Sequence, residues 1–439
     1  MKKFVLILAF FFAILCNIQV FAAVTPPTFT SKSVAVTSSS TSQVLYSVDA
    51  DEHFQLGALA QVMTAIVALD KLDSEQTVTV PNDINTYIQQ GDSIVNIKAG
   101  ETFAVKNLVT AMIVGNGDDA AIALAIAVSG DIDDFVALMN TKATQLGLQN
   151  THFTSPKSVD DTNQYSTAND MAAIAREAYS KPTLKTALTS KTFVLPATGQ
   201  SAARPLRTNN YLFDNYIQTQ YYDNTVVGGK TGYLGTSVCN AIEFAKQGDS
   251  EIISVVMGGT KVNNTISSLV DAKTSLAFAF SNFSLNKFIS QDQILTDVKL
   301  TNVKNRDNLN LSADFPVYVF TENGATDTPE DTITLKSKKV KAPIKAGDTY
   351  GQALVTYQGK TVATVPLVSQ ENIDPSTGGA IGNAISWFFS SWIFKIIIIL
   401  VVLYVGYIFL YARPKKAREL RRLRRKQMIE ERLRDKNRD

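Results

Sequence analysis

The chain has 439 residues, with 42 lysines and arginines against 40 aspartates and glutamates, and 45% of its residues are hydrophobic. This composition excludes wholesale disorder, and the length is enough for two or three folded units. The 2 histidines and 2 cysteines stand too far apart for a zinc cluster or a disulfide framework, so no metal or other cofactor is expected. The net charge of +2 argues against a nucleic-acid-binding protein.

The N-terminal segment, residues 1–22, has the pattern of a secretory signal peptide. Lys2 and Lys3 precede an apolar run at residues 4–15, and residues 20–22 are small or apolar at the cleavage position. An N-terminal membrane span is the alternative, but the apolar run is short for one. We therefore expect export of the chain.

Residues 30–285 mix strand-like and helix-like patterns, which predicts an α+β domain. The predicted strands lie at residues 33–37, 43–47, 237–244 and 251–258, and the predicted helices at residues 61–72, 105–114, 120–128 and 131–146.

Residues 290–370 change character and predict a small all-β domain. Short apolar or alternating runs are separated by turn residues such as Gln358-Gly359. The predicted strands include residues 317–320, 333–335, 354–357 and 361–365. Residues 371–391, rich in Gly, Ser and Asn, are expected to form a flexible stalk.

Residues 392–411 are apolar apart from Lys395 and match the roughly 20 residues that cross a bilayer core. The following residues 412–439 hold 13 lysines and arginines and 5 acidic residues. The positive-inside rule then predicts a single-pass protein of the cell membrane, with its N-terminal domains extracytoplasmic and its basic tail cytoplasmic. The tail is either a stop-transfer signal or a helix that rests on anionic lipid headgroups, since Leu420, Leu423, Ile429 and Leu433 lie among its arginines.

Several widely spaced motifs carry a family resemblance. They are Lys230-Thr231-Gly232, the Tyr165–Ala168 run after His152, and Lys341–Gly347 before the last predicted hairpin. With Gln43–Tyr46 and Met63–Ala65, they make the chain resemble the serine D-alanyl-D-alanine carboxypeptidases. These low-molecular-mass penicillin-binding proteins trim peptidoglycan stem peptides. The resemblance implies a β-lactamase/transpeptidase-like domain, which is an antiparallel sheet flanked by helices with a helical subdomain. The resemblance covers about residues 30–370.

The resemblance implies a Ser nucleophile and a Lys base one helical turn apart, then a second Ser and an Asn, in the motifs S-x-x-K and S-x-N. In this chain Ala58 stands at the nucleophile position and Gln61 at the base position. Asn116 replaces the second Ser, and Asp118 replaces the Asn. We therefore expect no catalytic residues here. A displaced motif, Ser284–Lys287, is interpreted as a chance match on a surface turn.

The K-T-G motif is intact, so the resemblance implies that Lys230, Thr231, Gly232 and Tyr233 bind substrate. The backbone amides of Ala58 and Tyr233 remain as an oxyanion hole. We also predict an ion pair between Asp118 and Lys230, because the cation of the base position is lost, and this pair would lower the pKa of the aspartate.

Two further departures concern neighbouring loops. Ser155–Val159 differs from the family's Asn-Pro-x-Gly-Leu, and Gln164 stands where His is usual. They reflect either a relaxed site or neutral drift.

Three functions remain open at this point. The first is a catalytically inactive homologue that binds peptidoglycan stem peptides or a cell-wall enzyme. The second is a D,D-carboxypeptidase with residual activity through another nucleophile, for which Thr64 and Thr231 are candidates. The third is a structural envelope protein with a vestigial cleft.

Overall fold

The computed structural model describes residues 25–235, 237–376, 387, 389, 391–407 and 413–436. The predicted signal peptide at residues 1–22 lies outside this part of the chain. The chain divides into two compact units. Unit 1 comprises Met1–Gln291, Phe315–Thr334 and Ala353–Val365, and unit 2 comprises Asp292–Asp314, Leu335–Gln352 and Pro366–Asp439.

A five-stranded antiparallel sheet organises unit 1. Its strands are β1 (Ser33–Ser38), β2 (Val44–Val48), β3 (Val226–Leu234), β4 (Val238–Gln247) and β5 (Ser250–Gly259), in the order β2-β1-β5-β4-β3. The four strands predicted for this region are thus confirmed within a few residues. β3 forms one edge of the sheet, and it carries the K-T-G motif.

Seven α-helices lie among the described residues of unit 1. They are α1 (Ala60–Lys71), α2 (Val105–Gly115), α3 (Asp118–Ser129), α4 (Ile132–Gln145), α5 (Ala168–Ser180), α6 (Pro182–Leu188) and α7 (Ser267–Asn282). The first four confirm the predicted helices. Residues Ala60–Ala68 of α1 are all buried, including the polar Gln61 and Thr64, and the apolar ones belong to the main core.

Short strand pairs complete this part of unit 1. They are Phe54–Gln55 with Tyr165–Ser166, Thr77–Thr79 with Thr102–Ala104, Thr192–Leu195 with Arg204–Arg207, and Lys261–Val262 with Thr265–Ile266. The strand Phe283–Ile289 pairs with Val317–Glu322. Ser284–Lys287 therefore lies in a strand, and its interpretation as a turn was wrong. Residues three apart point to opposite faces of a strand, so this motif cannot place a serine beside a lysine.

The C-terminal region is a β domain, as the alternating pattern predicted. Its further strands are Ile294–Thr301, Asn308–Ala313, Glu330–Leu335, Lys339–Lys341, Thr349–Tyr357 and Lys360–Val368. Within unit 2, Ile294–Thr301 pairs antiparallel with Asn308–Ala313 and parallel with Lys339–Lys341. The chain is thus a mixed α+β protein with a C-terminal β domain.

The helices α8 (Trp392–Tyr407) and α9 (Arg413–Lys436) lie in the described part of the chain after the β domain. The predicted span at residues 392–411 begins with α8, and its last four residues lie outside the described residues. Among the described residues, no helix combines the length and the apolar character needed to cross a membrane.

Candidate functional site

The start of α1 holds the first two positions of the degenerate motif. A short 3-10 turn, Gly57–Leu59, precedes the helix, and Gly57 has a φ of +56°, a conformation that favours glycine. Ala58 follows, 8% exposed, and lines a cleft. Gln61 lies one helical turn further on and is fully buried. The sequence therefore places a methyl group and an uncharged amide where the family chemistry needs a hydroxyl and an amine.

The turn at Gly57 packs directly against the backbone of β3. A Cβ added at Gly57 would lie 3.2 Å from the Tyr233 nitrogen, and one added at Gly232 would lie 2.4 Å from the Leu56 oxygen. Glycine at both positions allows this close approach of two backbones. Ala58 and Tyr233 consequently line the same cleft, which preserves the path of the chain on which an oxyanion hole depends.

Asp118, the first residue of α3, joins three segments. Its Oδ1 accepts hydrogen bonds from Gln61 Nε2 at 2.9 Å and from the Ser158 amide at 3.0 Å. Its Oδ2 accepts one from the Ser93 amide at 3.1 Å. Burial raises the pKa of Asp118 to about 6, although these hydrogen bonds lower it. The negative charge of Asp92 adds to the increase.

The Lys230 ammonium is buried next to the end of α2 and does not line the cleft. Its Nζ donates hydrogen bonds to the Ile113 oxygen at 3.0 Å, to the Met112 oxygen at 3.4 Å and to the Asn116 side-chain oxygen. The lysine thus satisfies the last carbonyl groups of α2, while Asn116 ends that helix in the left-handed conformation. Burial lowers the pKa of Lys230 to about 7, and the negative charge of Asp118 opposes the decrease.

The predicted ion pair between Asp118 and Lys230 was wrong. The carboxylate and the ammonium group have the separate partners just described, and Asp118 acts on Lys230 only as a nearby charge. The predicted lowering of the aspartate pKa was also wrong, because burial outweighs the hydrogen bonds that favour the charged form.

The cleft has a volume of about 690 Å³. Its lining includes the substituted positions Ala58, Asn116 and Asp118, the K-T-G strand residues Thr231, Tyr233, Leu234 and Gly235, Asn209, and two loops at residues 89–93 and 154–161. Of the four predicted substrate-binding residues, the structure places Thr231 and Tyr233 on the cleft and Lys230 and Gly232 behind it. The Thr231 hydroxyl donates to Asn209 Oδ1 at 2.7 Å.

The two loops that line the cleft next to Asp118 are tied together. The Lys157 ammonium forms an ion pair with Asp92, and both side chains are nearly buried. Gln164 shapes the second loop, because its Oε1 accepts from the amides of Thr154 and Ser155, and its Nε2 donates to the Lys157 oxygen. These roles were missed by the sequence analysis, in which the two departures in these loops were left between a relaxed site and drift.

Comparison with known proteins shows the family of this chain. Residues 20–261 match the family model described as D-alanyl-D-alanine carboxypeptidase, and residues 283–375 match the model for the C-terminal domain of penicillin-binding protein 5. The chain belongs to the D-alanyl-D-alanine carboxypeptidase family. The resemblance proposed from the motifs is thereby confirmed.

Relatives of this carboxypeptidase-family chain match it along most of its length. It is 26% identical over 350 residues to the D-alanyl-D-alanine carboxypeptidase DacF of Bacillus subtilis, with 78% of this chain and 86% of that protein covered. It is 28% identical to DacC of Escherichia coli, with 78% and 83% covered.

Solved structures of the family agree in fold. Penicillin-binding protein 5 from Haemophilus influenzae matches with a TM-score of 0.63 and 25% identity, covering 80% of this chain and 100% of that one. PBP3 from Streptococcus pneumoniae, at 18% identity, supports the fold alone, with a TM-score of 0.67 and coverage of 79% and 100%.

Proposed function

We propose that this protein binds peptidoglycan stem peptides, or a cell-wall enzyme, and does not hydrolyse stem peptides through a serine. The observation that carries this proposal is the pairing of Ala58 on the cleft wall with Gln61 behind it. A methyl group has no lone pair with which to attack a carbonyl, and a carboxamide is not a useful base. Loss of nucleophile and base typically removes several orders of magnitude of rate.

Residual activity through another hydroxyl is the second candidate, and the contacts of the two threonines disfavour it. The Thr64 hydroxyl is buried and donates to the Pro156 oxygen at 2.6 Å. The Thr231 hydroxyl donates to the amide oxygen of Asn209. Neither carbonyl oxygen is basic enough to remove a hydroxyl proton, so neither threonine is activated as a nucleophile.

Labelling with a fluorescent penicillin tests the proposal, because acylation requires a nucleophile. We expect no covalent band on the purified full chain, alongside a serine penicillin-binding protein as positive control. A band that survives denaturation and disappears with hydroxylamine would overturn the proposal and favour residual activity.

A vestigial cleft is the third candidate, and binding separates it from the first. We expect a synthetic stem peptide to bind the full chain reversibly in isothermal titration calorimetry. If no stem peptide binds at millimolar concentration, whether its C-terminus is an acid or an amide, the result would favour a structural protein whose cleft has no ligand.

We also propose that the chain is anchored in the cell membrane with residues 30–370 outside and the basic tail inside. The signal-like N-terminus, the apolar run at residues 392–411 and the basic tail support this orientation. We expect the protein to stay in the membrane during carbonate extraction. We also expect protease added to intact cells to digest residues 30–370. Release by carbonate would contradict the anchor, and full protection from protease would contradict the orientation.

A further inference from the structure

The charges around the cleft differ from those expected for a site that holds a free C-terminal carboxylate. Four aspartates line it, Asp92, Asp118, Asp160 and Asp161. Among the described residues that line the cleft, none is a lysine or an arginine. A bound carboxylate would therefore meet negative charges without a facing cation.

Lys230, the cation of the K-T-G motif, does not neutralise the negative charge of these aspartates. The three N–H bonds of the Lys230 ammonium match its three acceptors on α2 and Asn116, and its side chain is buried behind the strand. An ammonium group has three donors, so none is left to point into the cleft. Binding a carboxylate there would require breaking the end of α2.

The hydroxyl of the same motif is also committed. Thr231 donates its proton to Asn209 Oδ1, so the side toward the cleft offers lone pairs. Asn209 is held in place by its neighbour, because Asn210 Nδ2 donates to the buried Glu243 Oε2 at 2.7 Å. Thr231 thus contributes an acceptor rather than a donor to a ligand.

A buried acceptor near the cleft, the side-chain oxygen of Gln61, also favours a ligand that donates hydrogen bonds. The Oε1 of Gln61 accepts no hydrogen bond from the described residues, while its Nε2 is bound to Asp118. A polar atom that is buried without a partner costs free energy, which a donor brought by a ligand would recover after a small movement of the amide. The Gln61 side-chain oxygen and the Thr231 hydroxyl are thus two acceptors open to a donor on a ligand.

Two of the four aspartates carry most of the free negative charge. Asp92 is neutralised by Lys157, and Asp118 is buried. Asp160 is exposed and Asp161 is half-buried, and hydrogen bonds from the Asn163 amide and the Thr154 hydroxyl lower the pKa of Asp161. The loop at residues 160–161 is thus the part of the cleft wall that attracts a cation.

We propose that the cleft binds an amine-bearing peptide segment through its ammonium group, and disfavours a peptide that presents a free C-terminal carboxylate. This inference rests on the proposed peptide-binding function, and it specifies the ligand class of that same cleft. The acceptors of the cleft receive hydrogen bonds from the ammonium group. Asp160 and Asp161, here called the rim aspartates, supply the opposite charge.

Four versions of one lysine-containing stem pentapeptide test the inference, with the C-terminus as acid or amide and the lysine amine free or acetylated. In calorimetry with the full chain, we expect the amide with a free amine to bind about tenfold more tightly than the acid with an acetylated amine. Equal or tighter binding of the acetylated acid would overturn the inference and leave peptide binding itself established. Failure of all four peptides would instead refute the proposed function, and the inference with it.

A double variant tests whether the rim aspartates cause the preference for the peptide with a free amine. Asp160→Asn with Asp161→Asn keeps the side-chain oxygens that accept hydrogen bonds from Gln55 and Thr154, and we expect it to reduce the tenfold preference to about twofold or less. Asp133→Asn with Asp134→Asn, two exposed aspartates on α4 that do not line the cleft, is the matched control and should leave the preference unchanged. An unchanged preference in the first variant, with its melting temperature preserved, would contradict the role of the rim aspartates.

Discussion

Gln61 donates a hydrogen bond from Nε2 to Oδ1 of Asp118 across 2.9 Å, with both side chains buried. The resemblance to the family implies Lys at the first position and Asn at the second. The chain therefore keeps a hydrogen bond between the two positions while it exchanges a positive charge on α1 for a negative charge on α3. This paired substitution explains how the site lost its base without leaving a buried aspartate unsatisfied.

The raised pKa of Asp118 predicts a pH dependence of stability. Its pKa of about 6 in the folded state exceeds the ordinary value of 3.8, so folding favours the protonated form. This contribution to stability is complete below pH 4 and is lost as the pH rises to about 6, by roughly 2–3 kcal/mol.

Urea unfolding of the wild type and of Asp118→Asn between pH 4 and pH 7 measures this effect. The difference between their free energies of unfolding should change in favour of the variant as the pH rises. A constant difference across this range would contradict the buried, protonatable state of Asp118.

Lys230 predicts the opposite slope at higher pH. Its pKa falls from 10.5 to about 7 in the folded state, so folding favours the neutral amine. The cost of burying the charge is complete below pH 7 and is relieved as the pH rises toward 10.5. Stability should therefore increase by on the order of 1.4 kcal/mol per pH unit in this window, relative to Lys230→Met.

Guanidinium unfolding at pH 7, 8 and 9 is the measurement for Lys230. Lys106→Met serves as the control, because Lys106 is exposed and its ion pair with Glu75 lies at the surface. Parallel pH profiles for wild type and Lys230→Met would show that the lysine keeps its charge.

Reconstruction of the motif tests whether the scaffold is still competent. Ala58→Ser with Gln61→Lys and Asp118→Asn should restore covalent labelling by penicillin, since the backbone amides on the cleft are already placed. Ala58→Ser alone should react at least about 100-fold more slowly, because a general base contributes roughly that factor or more. Rates of acylation under pseudo-first-order conditions provide the comparison, and equal rates would argue against the need for the lysine.

The contact of Gly232 with the turn before α1 predicts a large effect from one methyl group. Gly232→Ala would bring its Cβ to 2.4 Å from the Leu56 oxygen, so the backbones must separate, at a cost of about 1–3 kcal/mol. Gly199→Ala is the control, because a Cβ there meets nothing within 4 Å. Thermal unfolding should show a lower melting temperature for the first variant and little change for the second.

Most of the fold could be predicted because most of its helices and strands follow simple apolar patterns, as in α1 and β5. β3 was not identified as a strand, because Gly228, Gly229 and Gly232 weaken any strand pattern. The structure shows why they are needed: a Cβ at Gly228 or Gly229 would lie 2.5 Å or less from a backbone oxygen of Leu188 or Ile242.

The side-chain partners in the site were harder to predict than its positions. Alignment on the family motifs identified Ala58 and Asp118 as cleft residues, but it carries no information on where Lys230 turns. That direction depends on the free carbonyl groups at the end of α2, over 100 positions earlier in the chain. The Asp92–Lys157 pair likewise joins two loops that no spacing rule connects.

The ion pair between Asp92 and Lys157 has a mechanical consequence. Both loops also donate a backbone amide to Asp118, through Ser93 and Ser158, so the pair fixes them to each other beside that carboxylate. Moving either loop alone would separate two nearly buried charges, and this cost resists the movement. A ligand that approaches Asp118 therefore meets a wall whose shape is already set before binding.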